Sequence, residues 1–207
     1  MLASYTGTPF REAQVLPGRL LCAHYDRGGE GVAFHDSTPI NQGSGRLNPA
    51  DGNPLNEFRI DEAVDISYVK GTRLHEGAMV EFDNSAFNRV TPPPDLHYVG
   101  WTEPGEWLNY TIEVAASRIY RVDLLYTSRH GGAIALSVDG VDVTGRLSIE
   151  STEDLADPVA FRQWHHWNIA RNLAHIRLTA GRHVLTLHTL ETGQMNYSYL
   201  DFTSVTP

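Results

Sequence analysis

Along the second half of the chain, apolar and polar residues alternate in short runs. Trp107–Val114 (WLNYTIEV) puts Leu108, Tyr110, Ile112 and Val114 on one face and Asn109, Thr111 and Glu113 on the other. Residues 119–127 gather Tyr120, Val122, Leu124 and Tyr126 on one side. Residues 133–138 and 141–143 bracket Asp139-Gly140, the dipeptide of a tight hairpin turn. Two further runs, 183–190 and 196–202, are separated by Thr192-Gly193. A period of two, short spacing and turn residues between runs predict an antiparallel β-sandwich or barrel. Helical periodicity is nearly absent, with one turn expected within 151–157.

The first half reads differently. Residues 41–61 and 70–96 are rich in Gly, Pro, Asn and charge, with brief apolar patches such as 78–82. Irregular segments of that length are uncommon in a compact domain, and both functional loops and plain decoration account for them. The 207 residues suit one domain over 1–207, with long loop insertions within 41–96. Sixteen basic against twenty-five acidic residues leave a net charge of −9, which argues against nucleic acid and anionic membrane surfaces as partners. No apolar run is long enough for a spanning helix. Cys22 is the only cysteine, so no internal disulfide forms; it lies in an apolar run as a small buried hydrophobe. The N-terminus lacks the charged-then-apolar pattern of a signal peptide, so an exported form is expected to have lost it.

The four tryptophans form two pairs, Trp101 with Trp107 and Trp164 with Trp167. An indole face suits the apolar C–H face of a pyranose, although a tryptophan more commonly fills a core. Trp107 opens a half-buried strand and Trp167 opens an apolar run, so both are assigned to structure. Trp101 sits among Gly100, Thr102, Pro104 and Gly105, and Trp164 among Arg162, Gln163, His165 and His166; these polar settings predict exposure. Adjacent His165 and His166 would point to opposite faces of a strand and could not chelate together, and His24 and His35 lack ligand spacing. Carboxylate pairs for glycosidase chemistry can be drawn from Glu30, Asp36, Glu103 and Glu106, but such chemistry depends on their separation in space. There is no G-x-S-x-G nucleophile elbow.

Two segments together resemble the family 6 carbohydrate-binding modules and their close relatives. Residues 17–36 (PGRLLCAHYDRGGEGVAFHD) are similar to that family's opening strand and following loop. Residues 99–114 (VGWTEPGEWLNYTIEV) keep its G-(aromatic)-x-x-x-G-(D/E)-(W/Y) core. Residues 163–167 (QWHHW) and the closing strand 196–202 add weaker likeness. The resemblance implies an all-β fold, a β-sandwich jelly roll, in a secreted, periplasmic or cell-surface protein. It also implies non-catalytic binding of a polysaccharide or oligosaccharide, often beside a linked glycoside hydrolase domain. In that family two aromatics clamp a pyranose, which here would be Trp101 and Trp164. Polar help would come from His35 or Asp36 after the first strand and from Gln194 or Asn196 before the last. A glycosidase-like enzyme using carboxylates near the same cleft is the alternative.

One departure stands out. The family's structural calcium is held by two glutamates of the first strand and an aspartate of the last. The corresponding positions here are Leu21, Ala23 and Ser198. Calcium takes about six to eight oxygen ligands, mostly anionic, so no calcium, and no other cofactor, is expected.

Overall fold

The computed structural model describes residues 4–75 and 78–205. It is built almost wholly of strands. In the first half lie β1 (Gln14–Leu16), β2 (Gly18–Leu21) and β3 (Phe34–His35), then the insertion's β4 (Ser44–Gly45), β5 (Asn48–Pro49), β6 (Ile66–Tyr68), β7 (Thr72–His75) and β8 (Ala78–Glu81). After β9 (His97–Val99) come β10 (Trp107–Val114), β11 (Arg118–Ser128), β12 (Gly132–Val138), β13 (Val141–Asp142) and β14 (Leu147–Ile149). The chain closes with β15 (Asn168–Leu178), β16 (Gly181–Glu191) and β17 (Met195–Ser204).

Two sheets face each other. One runs β1-β10-β16-β12-β13, with β14 on β12 and β3 on β10; the other runs β15-β11-β17-β9-β6, with β2 on β17. Most pairings are antiparallel, and β1 joins β10 in parallel. This is the predicted β-sandwich jelly roll, and the alternating residues fill it as expected. Leu108, Tyr110, Ile112 and Val114 meet Tyr120, Val122, Leu124 and Tyr126 in the main core. Cys22 is fully buried there, and burial pushes its thiol well up. The helical turn expected within 151–157 instead lies at Ala160–Arg162, because 151–157 spends its polar side chains on local turns such as Asp154 Oδ1 with the Ala156 N–H at 2.9 Å.

The second sheet is buried on its outer face as well. Leu125, Tyr199 and Trp167 form a smaller core with Val69 and Tyr98, supplied by the insertion and β9. The insertion therefore covers the sheet, and it is pinned by buried polar side chains. Asn41 Oδ1 accepts the N–H groups of Gly43, Ser44 and Ile66 at 2.9, 2.8 and 3.1 Å. Asp83 accepts from Lys70 N–H at 2.6 Å and from the Trp167 indole N–H at 2.8 Å. Arg59, also from the insertion, lies over the Tyr25 ring at 3.4 Å and donates to the Tyr25 and Asp26 carbonyls.

Candidate functional site

The loop between β9 and β10 is fixed from behind. Trp101 has a φ of 50°, a left-handed conformation that costs a bulky residue roughly 1–2 kcal/mol. Its N–H donates to Asn196 Oδ1 at 3.1 Å. Thr102 donates to the Met195 carbonyl through Oγ1 at 3.0 Å, and Gln194 N–H returns to the Thr102 carbonyl at 2.5 Å. Close approach demands glycine at two points: a Cβ on Gly100 would stand 2.9 Å from Asn196 Oδ1, and one on Gly193 would stand 2.5 Å from the Thr102 carbonyl. The loop thus holds a half-buried indole at the sandwich edge. Trp164, also half-buried, follows the short 3-10 turn, and its carbonyl accepts from Thr152 Oγ1 at 3.4 Å. Among the described residues, neither indole N–H meets a protein acceptor.

His165 joins the two. Its ring meets Trp164 edge-on at 5.2 Å and 84°, and its Nδ1 lies 3.0 Å from Asn196 Nδ2. Trp167, by contrast, is fully buried with its indole N–H on Asp83, as its structural assignment requires. Neighbouring His165 and His166 serve separate carboxylates, Asp83 at 2.5 Å and Asp157 at 2.9 Å. Burial would raise Asp157, but bidentate Arg162 together with His166 and the Val159 N–H outweighs it and holds the carboxyl at about 2.

The polar residues expected to assist the clamp divide three ways. Gln194 is exposed at the loop tip, with a φ of 52°. Asn196 is fully buried, and its amide is spent on Trp101 N–H, Thr127 Oγ1 and His165. The expectation that Asn196 faces the ligand is therefore corrected: it supports the loop from inside. His35 and Asp36 line a different depression, whose rim and floor include Glu106, Trp107, Thr189, Leu108 and Leu187 but none of Trp101, Trp164, Gln194 and Asn196.

In that depression His35 pairs across the strands with Trp107, ring centroids 6.4 Å apart. Hydrogen bonding to Glu30 at 2.5 Å raises the exposed His35. Burial first, and the charges of Glu106 and Glu30 second, push Asp36 up to about 6. Asp36 Oδ1 accepts from Thr38 N–H and Oγ1, while Glu106 accepts from Ser37 and from Glu103 N–H. These carboxylates are tied into turns. Trp107 was assigned to packing, yet it is half-buried and shares parity with Asn109, Thr111 and Glu113. That outward parity was the available signal. No sequence signal linked Asp83 to His165, which lie 82 positions apart.

The calcium positions do not fit the ion. Ala23 packs in the main core, Leu21 packs against the smaller one, and Ser198 offers one buried hydroxyl. Among the described residues no cluster of three or more His, Cys, Asp or Glu is arranged for a metal.

No protein-family model matches the chain, and no curated protein matches it. Solved structures do. A family 6 carbohydrate-binding module from Clostridium stercorarium, solved with cellobiose, is 11% identical over 93% of this chain and 98% of that one, with a TM-score of 0.52. A β-1,3-glucan-binding family 6 module from Bacillus halodurans is 11% identical over 93% and 100%, with a TM-score of 0.49. The fold is that of the family 6 carbohydrate-binding modules. Among the described residues, no helix is long and apolar enough to cross a membrane.

Proposed function

We propose that this protein is a non-catalytic carbohydrate-binding module that grips a pyranose of a polysaccharide or oligosaccharide between Trp101 and Trp164, with the exposed Gln194 as a polar partner. One observation carries the reading: Trp101 keeps a strained, half-exposed conformation enforced by Asn196. A fold tolerates strain of this kind where the residue's function requires it. Partly exposed indoles whose N–H groups meet no protein acceptor among the described residues suit stacking on a sugar's C–H face with hydrogen bonds to its hydroxyls. The shared fold with a module solved bound to cellobiose supports the same reading. Stacking worth about 1–3 kcal/mol per aromatic gives about 2–6 kcal/mol for the pair, millimolar affinity down to tens of micromolar before any hydrogen bond to the sugar is added.

From the family resemblance we further infer a secreted, periplasmic or cell-surface setting and a linked glycoside hydrolase domain, and from Leu21, Ala23 and Ser198 at the carboxylate positions, no calcium. The test is a glycan array followed by affinity gels. Trp101→Ala and Trp164→Ala should each lose retention on the gel that holds the wild type, with melting temperature nearly unchanged. Retention undiminished in both variants sinks the clamp. The hydrolytic alternative draws on the raised Asp36 beside Glu30 and Glu106. A reducing-sugar assay on the retained glycan decides it, because a binding module releases no sugar.

A further inference from the structure

Asn196 can be oriented in only one way. The Trp101 N–H is purely a donor, so the atom facing it at 3.1 Å must be the amide oxygen. The two amide hydrogens then point to Thr127 Oγ1 at 2.8 Å and to His165 Nδ1 at 3.0 Å. His165 Nδ1 must therefore be bare, and its proton sits on Nε2, where it donates to Asp83 Oδ1 at 2.5 Å. All three residues are at most 1% exposed. A directed chain of hydrogen bonds thus runs from the insertion's Asp83 through His165 and Asn196 to the strained backbone of Trp101. The same imidazole also packs against Trp164.

We propose that Asp83 and His165 are positioning residues for both halves of the clamp, so that the 41–96 insertion sets sugar affinity from behind without touching the sugar. This rests on the clamp reading above. Asp83 fixes the His165 tautomer, the tautomer fixes the Asn196 amide, and the amide holds Trp101 at positive φ. Losing such a supporting bond generally weakens binding at the group it orients. His165→Phe keeps an aromatic ring but removes both the acceptor and the donor. His165→Gln keeps them, because its Oε1 can accept from Asn196 and its Nε2 can donate to Asp83.

Three measurements test the relay. In the wild type, 15N spectra should show His165 as the Nε2–H tautomer with bare Nδ1; the other tautomer, or a ring protonated on both nitrogens, overturns it. In protein labelled with 5-fluorotryptophan and assigned by single Trp→Phe variants, His165→Phe should shift or broaden the 19F signals of Trp101 and Trp164 and leave Trp107 in place. A Trp101 signal that does not move refutes the relay. Titration with soluble cello-oligosaccharides and β-1,3-glucans should show binding about tenfold or more weaker for His165→Phe, by analogy with lost supporting bonds elsewhere, and within about threefold of wild type for His165→Gln. Equal affinity in all three proteins also refutes it. If the wild type binds no glycan, the clamp reading fails, while the 15N and 19F spectra still judge the relay. If His165→Phe does not fold, the wild-type tautomer and the His165→Gln spectra decide.

Discussion

Trp164 and Trp167 both meet the same buried imidazole, His165, edge-on, yet Trp167 is sealed from solvent while Trp164 is partly open to it. On the sealed side, Trp167 lies at 0% exposure among Val69, Tyr98, Leu125 and Tyr199. Its indole N–H is on Asp83, its backbone N–H on Asn88 Oδ1 at 3.0 Å, and its carbonyl takes Arg89 and Val90 N–H at 2.9 and 3.1 Å. On the open side, Trp164 and Trp101 are half-buried, and neither indole N–H has a protein acceptor among the described residues. One tryptophan is thus a seam between insertion and sheet, while the others are partly exposed and keep an indole N–H with no protein acceptor among the described residues. Residue type does not separate the two roles; satisfaction of the polar handle does.

The largest effect should come from breaking the sealed side. Trp167→Ala removes a wholly buried side chain and leaves Asp83 without one of its donors, so a loss of about 3–5 kcal/mol is expected. Urea unfolding gives the number, and a loss below that of Trp164→Ala would erase the distinction between the two sides.

A smaller effect concerns pH, at the root of the insertion. Burial first, then the charges of Asp36 and Glu106, push Asp65 up to about 7. A carboxyl whose value is higher folded than unfolded binds more protons in the folded state, so stability falls as pH rises between the two values. Asp36, at about 6, acts with the same sign. His24, held down to about 4 chiefly by burial, acts oppositely, losing stability as pH falls below its ordinary value. Asp65→Asn keeps an oxygen for the Gln42 N–H and removes only its own share. Between about pH 4 and 7 the variant should lose less stability than the wild type by on the order of 1–2 kcal/mol, after discounting for solvent screening. Parallel pH profiles for the two proteins would show that Asp65 does not titrate in that window.

On the open side, Trp101→Gly sharpens the contrast. Glycine accepts a φ of 50° without strain, offsetting part of the packing lost and its own greater unfolded-state entropy. Stability should change by less than about 1 kcal/mol, or roughly 2–4 °C in melting temperature, while glycan retention disappears. A drop comparable to that of Trp167→Ala would move Trp101 to the sealed class.

What the sequence made readable follows the same division. The sandwich strands announce themselves because one face alternates, and β10 begins and ends where its pattern does. The outer face of β11 was not foreseen as buried, since Leu125 gains part of its cover from Val69, in a segment with no periodicity of its own. The loop setting of Trp101 and Trp164 was readable from the glycines and polar residues around them. The role of Asn196 was not, because turning an amide inward depends on Thr127 and His165, which lie 69 and 31 positions away.

The smallest expected effect is a null one, at the first strand. The positions that align with the calcium-binding carboxylates of the family this chain resembles hold Leu21, Ala23 and Ser198, and the first two lie in apolar packing. A divalent ion there would exchange its water for a single buried hydroxyl, leaving most of its coordination unmet. The carbonyls just downstream, those of Tyr25 and Asp26, are already taken by the Arg59 guanidinium, whose charge would repel a second cation. A ligand that does not bind the native state cannot shift its unfolding. Melting temperature should therefore be the same in EDTA and in millimolar calcium. A calcium-dependent rise of several degrees would show that other oxygens hold the ion, and repeating the melt with Asp51→Ala would ask whether the insertion's own acidic loop supplies them.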